Sequence, residues 1–371
     1  MRLTNERRVR LEPTVKAAPF ASVWMNIKET HMTPQRCAAF SVTAATLVAV
    51  LLAGTGCNNS STSGAPPPPP SSSGAMYITD FTNNTVTVYG QNANCSCNPA
   101  RQISGGNTGL VNPIGIAVDG SGTIYVANRG NTNVLEFPAA GKGNIAPSFT
   151  INGFSAPSGI AVDSAKNVYV TDKVAQSVSI FPPGSNVASY TISGVATSLS
   201  GPDFVTLDAS NDIWVANQTG NSVVEFPPLT GLSLGNNNIA PTVSISGTNT
   251  ALSSPQGIAF SPSGNLYVAI NNPQFNSFDA VLVYAGWIPG ANNLSPVNAI
   301  CGAGTGVNNP TGVAINPLGS VFVVNSQTAL ANGYITTFAS NNIGNLQCTG
   351  NLPNASVSGP AMLNPAGIAL H

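Results

Sequence analysis

Histidine, the side chain that most often moves protons near neutral pH, occurs only twice in the 371-residue chain, as His31 and His371. A Ser-His-Asp arrangement or a His-ligated zinc site therefore has no internal histidine to use. The remaining chemistry belongs to carboxylates, amides and thiols. Asp119, Asp163 and Asp208 each follow a short apolar run. They invite a metal reading, but an Asp at the start of a turn also accepts backbone hydrogen bonds, and one per run spreads them apart. A second set is Asp80, Asn128, Asp172, Asn217, Asn271 and Asn325, each at the end of another apolar run. One account is Asx capping of the loop that follows. The other is a ring of amides and carboxylates able to hold a sugar or a hard cation such as Ca²⁺, which prefers oxygen ligands. No other cofactor is implied, and whether a metal binds is left open.

The elements that would position these residues come from a unit written six times. Its first block reads Pro113-Ile114-Gly115-Ile116-Ala117-Val118-Asp119, and it recurs from Pro157, Pro202, Pro255, Pro310 and Pro365, with Phe204 alone replacing the glycine. Ten residues after the glycine position stands an aromatic: Tyr125, Tyr169, Trp214, Tyr267 and Phe322. A third run ends in Phe137, Phe181, Phe226, Tyr284 and Phe338, and a fourth is legible at Ser148–Ile151, Ser189–Ile192 and Thr242–Ile245. Four short antiparallel strands every 44 to 55 residues, apolar on both faces, describe the blades of a propeller. The first block has no copy before Met76-Tyr77-Ile78-Thr79-Asp80, and its sixth copy stops at His371 without its partner aromatic. The C-terminal strand is thus expected to complete the first blade, leaving no open edge. The fold class is all-β, a six-bladed β-propeller spanning residues 75–371.

These blades resemble NHL-type repeats, in the broad six-bladed group that includes streptogramin-lyase-like and gluconolactonase-like proteins. The resemblance implies the fold across about 300 residues. It implies little about function, because such blades host unrelated activities. Lyase-like relatives are expected to use a His acid/base, which the blades here lack. NHL repeats often carry Arg shortly before the third strand, where this chain has Thr85, Asn133, Ser177, Ser222 and Ala280.

Ahead of the repeats, Arg36 precedes an uncharged apolar run from Cys37 to Ala53 and then Gly54-Thr55-Gly56-Cys57. A basic flank, a short apolar stretch and small residues are the parts of a secretory signal. The first 36 residues make a long flank, so translation is expected to start at Met25 or Met32. Leu51 to Cys57 resembles the lipobox of bacterial lipoproteins, which implies lipid attachment at Cys57, although Gly54 stands where that family usually has Leu. The alternatives are plain cleavage near Gly56 or a retained span, for which the run is short against the ~20 residues needed. Residues 57–74 include Pro66 to Pro70 between Ser-rich flanks, a semi-stiff spacer. The expected organisation is a leader and signal at 1–56, a linker at 57–74 and the propeller. The protein is expected to be exported to the cell envelope or surface, and held to the membrane by its lipid only. Export permits disulfides, and Cys95, Cys97, Cys301 and Cys348 allow three complete pairings.

Charged residues are only 7% of the chain, and residues 75–371 hold five Lys and Arg against ten Asp and Glu, a net charge near −5. With no basic stripe to neutralise phosphates, nucleic acid is not an expected partner. The expected function is a non-enzymatic, monomeric, surface-tethered module that binds protein or glycan. A divalent-metal lactonase-like hydrolase and a structural envelope protein are the alternatives. From second to third aromatic the first four blades take 12 residues, whereas blade five takes 17 and blade six 16. The added segments, Asn271 to Asp279 and Ser326 to Gly333, mark the expected binding face, with Phe275 and Phe278 as aromatic contacts or as packing for the loop.

Overall fold

The computed structural model describes residues 74–275, 278–326, 332–343, 346–348 and 352–371, the side chains of 272–278 excepted. The leader, Cys57 and the proline-rich stretch lie outside the described residues, as does most of the addition in blade six. The described chain folds into six antiparallel sheets arranged as a closed propeller, with no α-helix among the described residues. Blade two shows the plan: an inner strand Pro113–Val118, then Ile124–Asn128, Asn133–Phe137 and an outer strand Phe149–Ile151. Closure is as expected, for the C-terminal strand Pro365–Leu370 pairs with Ala75–Asp80 as the inner strand of blade one.

The blades hold together through apolar side chains that project from both faces of each sheet. Six buried clusters result, one at each junction between neighbouring blades. At the junction of blades four and five the fully buried Trp214 meets Trp287 and Phe260 edge-on, at 5.0 and 5.3 Å between centroids. Inner strands approach closely because most carry glycine at one place. A Cβ on Gly115 would lie 2.3 Å from the Ser158 carbonyl, and one on Gly159 2.5 Å from the Phe204 Cα. Three of the second-strand aromatics keep their polar ends satisfied at the neighbouring turn. Tyr125 and Tyr169 donate to Asp119 and Asp163, and the Trp214 indole donates to Asp208. Blade six has Asn316 at that turn and a Phe, Phe322, that needs no acceptor.

Neighbouring blades are also joined at their outer edges, in a way the repeat pattern did not suggest. In blades one, two, four and five the connection before the outer strand reaches back to the preceding blade, in three of them as a short parallel strand. Gly235–Asn237 of blade four pairs with blade three, Gly290–Asn292 of blade five with blade four, and Cys95–Ser96 of blade one with blade six. Gly143 bridges to Ile103 likewise, from blade two to blade one. Beside these strands runs a Gly-x-x-Thr turn, in which buried Thr108, Thr197, Thr250 and Thr305 donate to the carbonyls of Gly105, Gly194, Gly247 and Gly302. Asn144, Asn238 and Asn293 of the reaching segments accept a backbone N–H from three of those turns. The disulfides pair Cys95 with Cys97 and Cys301 with Cys348. The second ties the outer strand of blade five to the segment of blade six between its third and outer strands.

Candidate functional site

In every blade the turn between second and third strands lies at the end of the propeller where the inner strand begins with proline. The Asx residues stand there, and five of the six are buried with their side chains turned to backbone. Asp80 accepts four N–H groups, from Thr82 (3.0 Å), Asn83 (2.7 Å), Leu363 (2.6 Å) and Asn364 (3.0 Å). Asp172 accepts four from Ser155, Ala156, Val174 and Ala175. Asn128, Asn217 and Asn325 each accept one N–H, from Val111, Ser200 and Asn308, and use their own amide N–H groups on carbonyl and side-chain oxygens. Partner chemistry therefore accounts for the choice: a carboxylate where all four partners donate, an amide where donors and acceptors are mixed. Each ties its turn to the segment leading into the inner strand of the same blade.

Asn271 is out of register with the rest. Ile270, not Asn271, pairs with Pro255 as Asn128 pairs with Pro113, and Ile270 is fully buried. In blade five the middle strands continue to Phe275 and from Phe278, whose backbones pair. The side chains of Phe275 and Phe278 lie outside the described residues. Asn271 itself donates to Asn309.

One residue beyond the Asx position the side chains face the channel. Phe81, Arg129, Lys173, Gln218 and Ser326 line a cavity of about 220 Å³ at its mouth. A second ring comes from the residue after each inner-strand proline: Ile114, Asp203, Gln256, Thr311 and Ala366. A bulge in every inner strand aims these side chains, because the register with the second strand shifts just after the proline. Ser158, the sixth of the set, donates to Asp203. Phe204 lines this cavity and also a second one of about 300 Å³ deeper in the channel, which is walled by Ile116, Ile160, Ile258, Val313 and Ile368. The residue that breaks the glycine pattern thus forms a wall common to both.

Charge in the mouth is sparse. Lys173 lies 3.4 Å from Asp203 and donates to Gln218. Arg129 is half-buried, and among the described residues nothing accepts from its guanidinium. His371 sits at the far end of the closing strand, where its backbone pairs with Ala75.

The opposite end holds most of the remaining acids. Asp119 accepts from Ser121, Thr123, Tyr125 and Lys166. Burial opposes its ionisation, but the hydrogen bonds from Ser121, Lys166 and Thr123 outweigh it and hold the carboxyl well below the usual range. Glu225 goes the other way: burial, then the charges of Asp212 and Asp208, push it up to about 7. Asp119 and Asp208 cap their turns, and among the described residues no three His, Cys, Asp or Glu side chains converge as a metal site would require.

A scan against protein-family models finds no match, and neither does a search of curated proteins. Solved structures do resemble the chain. A protein of unknown function from Bacteroides caccae superposes with a TM-score of 0.55 at 10% identity, over 80% of this chain and 97% of that one. A proposed 6-phosphogluconolactonase from Bacteroides fragilis gives 0.51 at 16% identity, over 81% and 85%. The likeness shows the fold alone. Virginiamycin B lyase from Staphylococcus aureus is also similar, at a TM-score of 0.47 and 14% identity over 77% and 85% of the two chains.

Proposed function

We propose that the protein is a non-enzymatic binding module held at the cell surface, and that a glycan end enters the channel mouth. The observation that carries this reading is the composition of that mouth. Amides from Gln218, Gln256 and Asn364 and hydroxyls from Thr311 and Ser326 stand around the rings of Phe81 and Phe204. Such a set can hydrogen-bond the hydroxyls of a sugar and cover its apolar face. Lactonase-like turnover asks for converging carboxylates, and the mouth contributes Asp203 alone among the described residues, already joined to Ser158 and Lys173.

Attachment through lipid at Cys57 belongs to the same proposal, supported by the apolar run, the small residues before Cys57 and the proline-rich spacer after it. Mass spectrometry of membrane-extracted protein tests it, and an unmodified Cys57 removes the tether. For the mouth, the full-length protein is screened on a glycan panel and compared with Gln256→Ala. Binding that weakens at least severalfold with an unchanged Tm supports the placement. Unchanged binding, or binding mapped to the opposite end, refutes it.

A further inference from the structure

Two of the five cations between residues 75 and 371 stand in the mouth, and they are in different states. Lys173 is neutralised by Asp203 and also bonded to Gln218. The guanidinium of Arg129 has no acceptor among the described residues. Of the others, Arg101 donates to the Ala139 carbonyl and the Tyr77 hydroxyl, Lys166 pairs with Asp119 at 3.0 Å, and Lys142 is exposed. Asp80 and Asp172 lie behind the mouth with both oxygens turned to backbone N–H groups. The lining therefore carries one uncompensated positive charge, in a domain whose net charge is near −5.

We infer that the ligand presents a carboxylate to Arg129, and that the glycan end bound in the mouth is an acidic sugar. The inference rests on the glycan reading above and narrows it. A guanidinium offers a planar fork of donors that matches a carboxylate through two parallel hydrogen bonds. Arg129 is half-buried in a cavity that also carries neutral amides, so an anion there meets a stronger field than at an open surface. Asp203 repels a second anion near Lys173, which directs the carboxylate to the Arg129 side. The opposite side, with Gln256 and Thr311, is left to the hydroxyls of the same ring. A cavity of about 220 Å³ has room for one sugar ring, which favours a terminal residue over a chain threaded through the channel.

Phosphate shares this oxyanion chemistry, so the experiment separates the two. The full-length protein is titrated by calorimetry with D-glucuronate, D-glucose and inorganic phosphate. Glucuronate and glucose differ only in the oxidation state of one carbon. Glucuronate is expected to bind about tenfold or more tightly than glucose, the gain typical of hydrogen bonds to a charged group. Arg129→Gln is expected to erase that preference, whereas Lys142→Gln, at an exposed position outside the mouth, alters neither affinity. Equal affinity for the two sugars, or a preference that survives Arg129→Gln, overturns the assignment and leaves the glycan reading standing. Phosphate binding as tightly as glucuronate overturns it in favour of a simple anion pocket. If no sugar binds at all, both readings fall.

Discussion

Replacing Asp80 with Ala should cost more than any other single change at the six Asx positions. Its carboxylate is fully buried and accepts four backbone N–H groups at 2.6 to 3.0 Å, two from its own turn and two from Leu363 and Asn364. The last two precede Pro365, where the closing strand begins, so one side chain joins the two ends of the ring. Hydrogen bonds to a charged acceptor contribute about 1.5–3 kcal/mol each in favourable settings, and orphaned buried donors lose their hydration as well. Allowing for water that enters the vacated space, the loss should reach about 3–5 kcal/mol. That is a large share of the roughly 5–15 kcal/mol that stabilises a typical domain. Asn128→Ala, which breaks three bonds of a neutral amide inside blade two, should cost only about 1–3 kcal/mol. Urea unfolding gives the energies. Hydrogen exchange at Gly367 to Leu370 gives the location, since protection there should fall first in the Asp80 variant. A loss below about 1 kcal/mol, or one no greater than that of Asn128→Ala, would refute the clasp.

Three further changes probe other parts of the ring. The Tyr89 hydroxyl is buried without a partner, and burial followed by the Asp80 charge pushes its phenol up to about 12. Tyr89→Phe should therefore raise stability by about 1 kcal/mol in denaturant unfolding, and a loss would contradict the absence of a partner. Glu225, raised from an ordinary 4.5 to about 7, keeps its proton in the folded state at pH values where the unfolded chain has released it. Stability should then fall as pH rises from about 4.5 to 7 and stay reduced above. Glu225→Gln should gain roughly 1–2 kcal/mol at pH 8 and nothing at pH 4, and a gain independent of pH in thermal melts would refute this origin. Cys301 and Cys348 close a loop of 47 residues, so the double Ser variant should lose about 2–4 kcal/mol. Hydrogen exchange should rise at the junction of blades five and six, and a loss spread evenly over all blades would argue against a local staple.

Much of the fold was legible because it is written six times. Repetition at a fixed register identifies the inner strand by Pro-x-Gly and the second by its aromatic, and the missing half-blade at each end implies closure. The outer parallel strands were not legible for a physical reason. Gly235-Asn236-Asn237 and Gly290-Ala291-Asn292 are too short and too polar to show a strand period, and their role depends on an edge supplied by another blade. The pairing Cys301–Cys348 was equally hidden, since it is decided by which loop reaches which neighbour.

The positions proposed to meet the ligand stand one residue beyond the Asx set, and the reason lies in what a repeat preserves. Asp and Asn recur at the Asx position because every turn needs its backbone held, so recurrence there marks scaffold. A six-fold frame that binds an unsymmetrical ligand must instead differ from blade to blade where it touches that ligand. Six prolines are followed by Ile114, Ser158, Asp203, Gln256, Thr311 and Ala366, and the five Asx residues in register by Phe81, Arg129, Lys173, Gln218 and Ser326. These are the most varied positions next to the most constant ones, and ten of the eleven side chains line the mouth, Ser158 joining it through Asp203. In a propeller, then, the informative signal for a site is variation set directly beside repetition, and here it leads to Arg129.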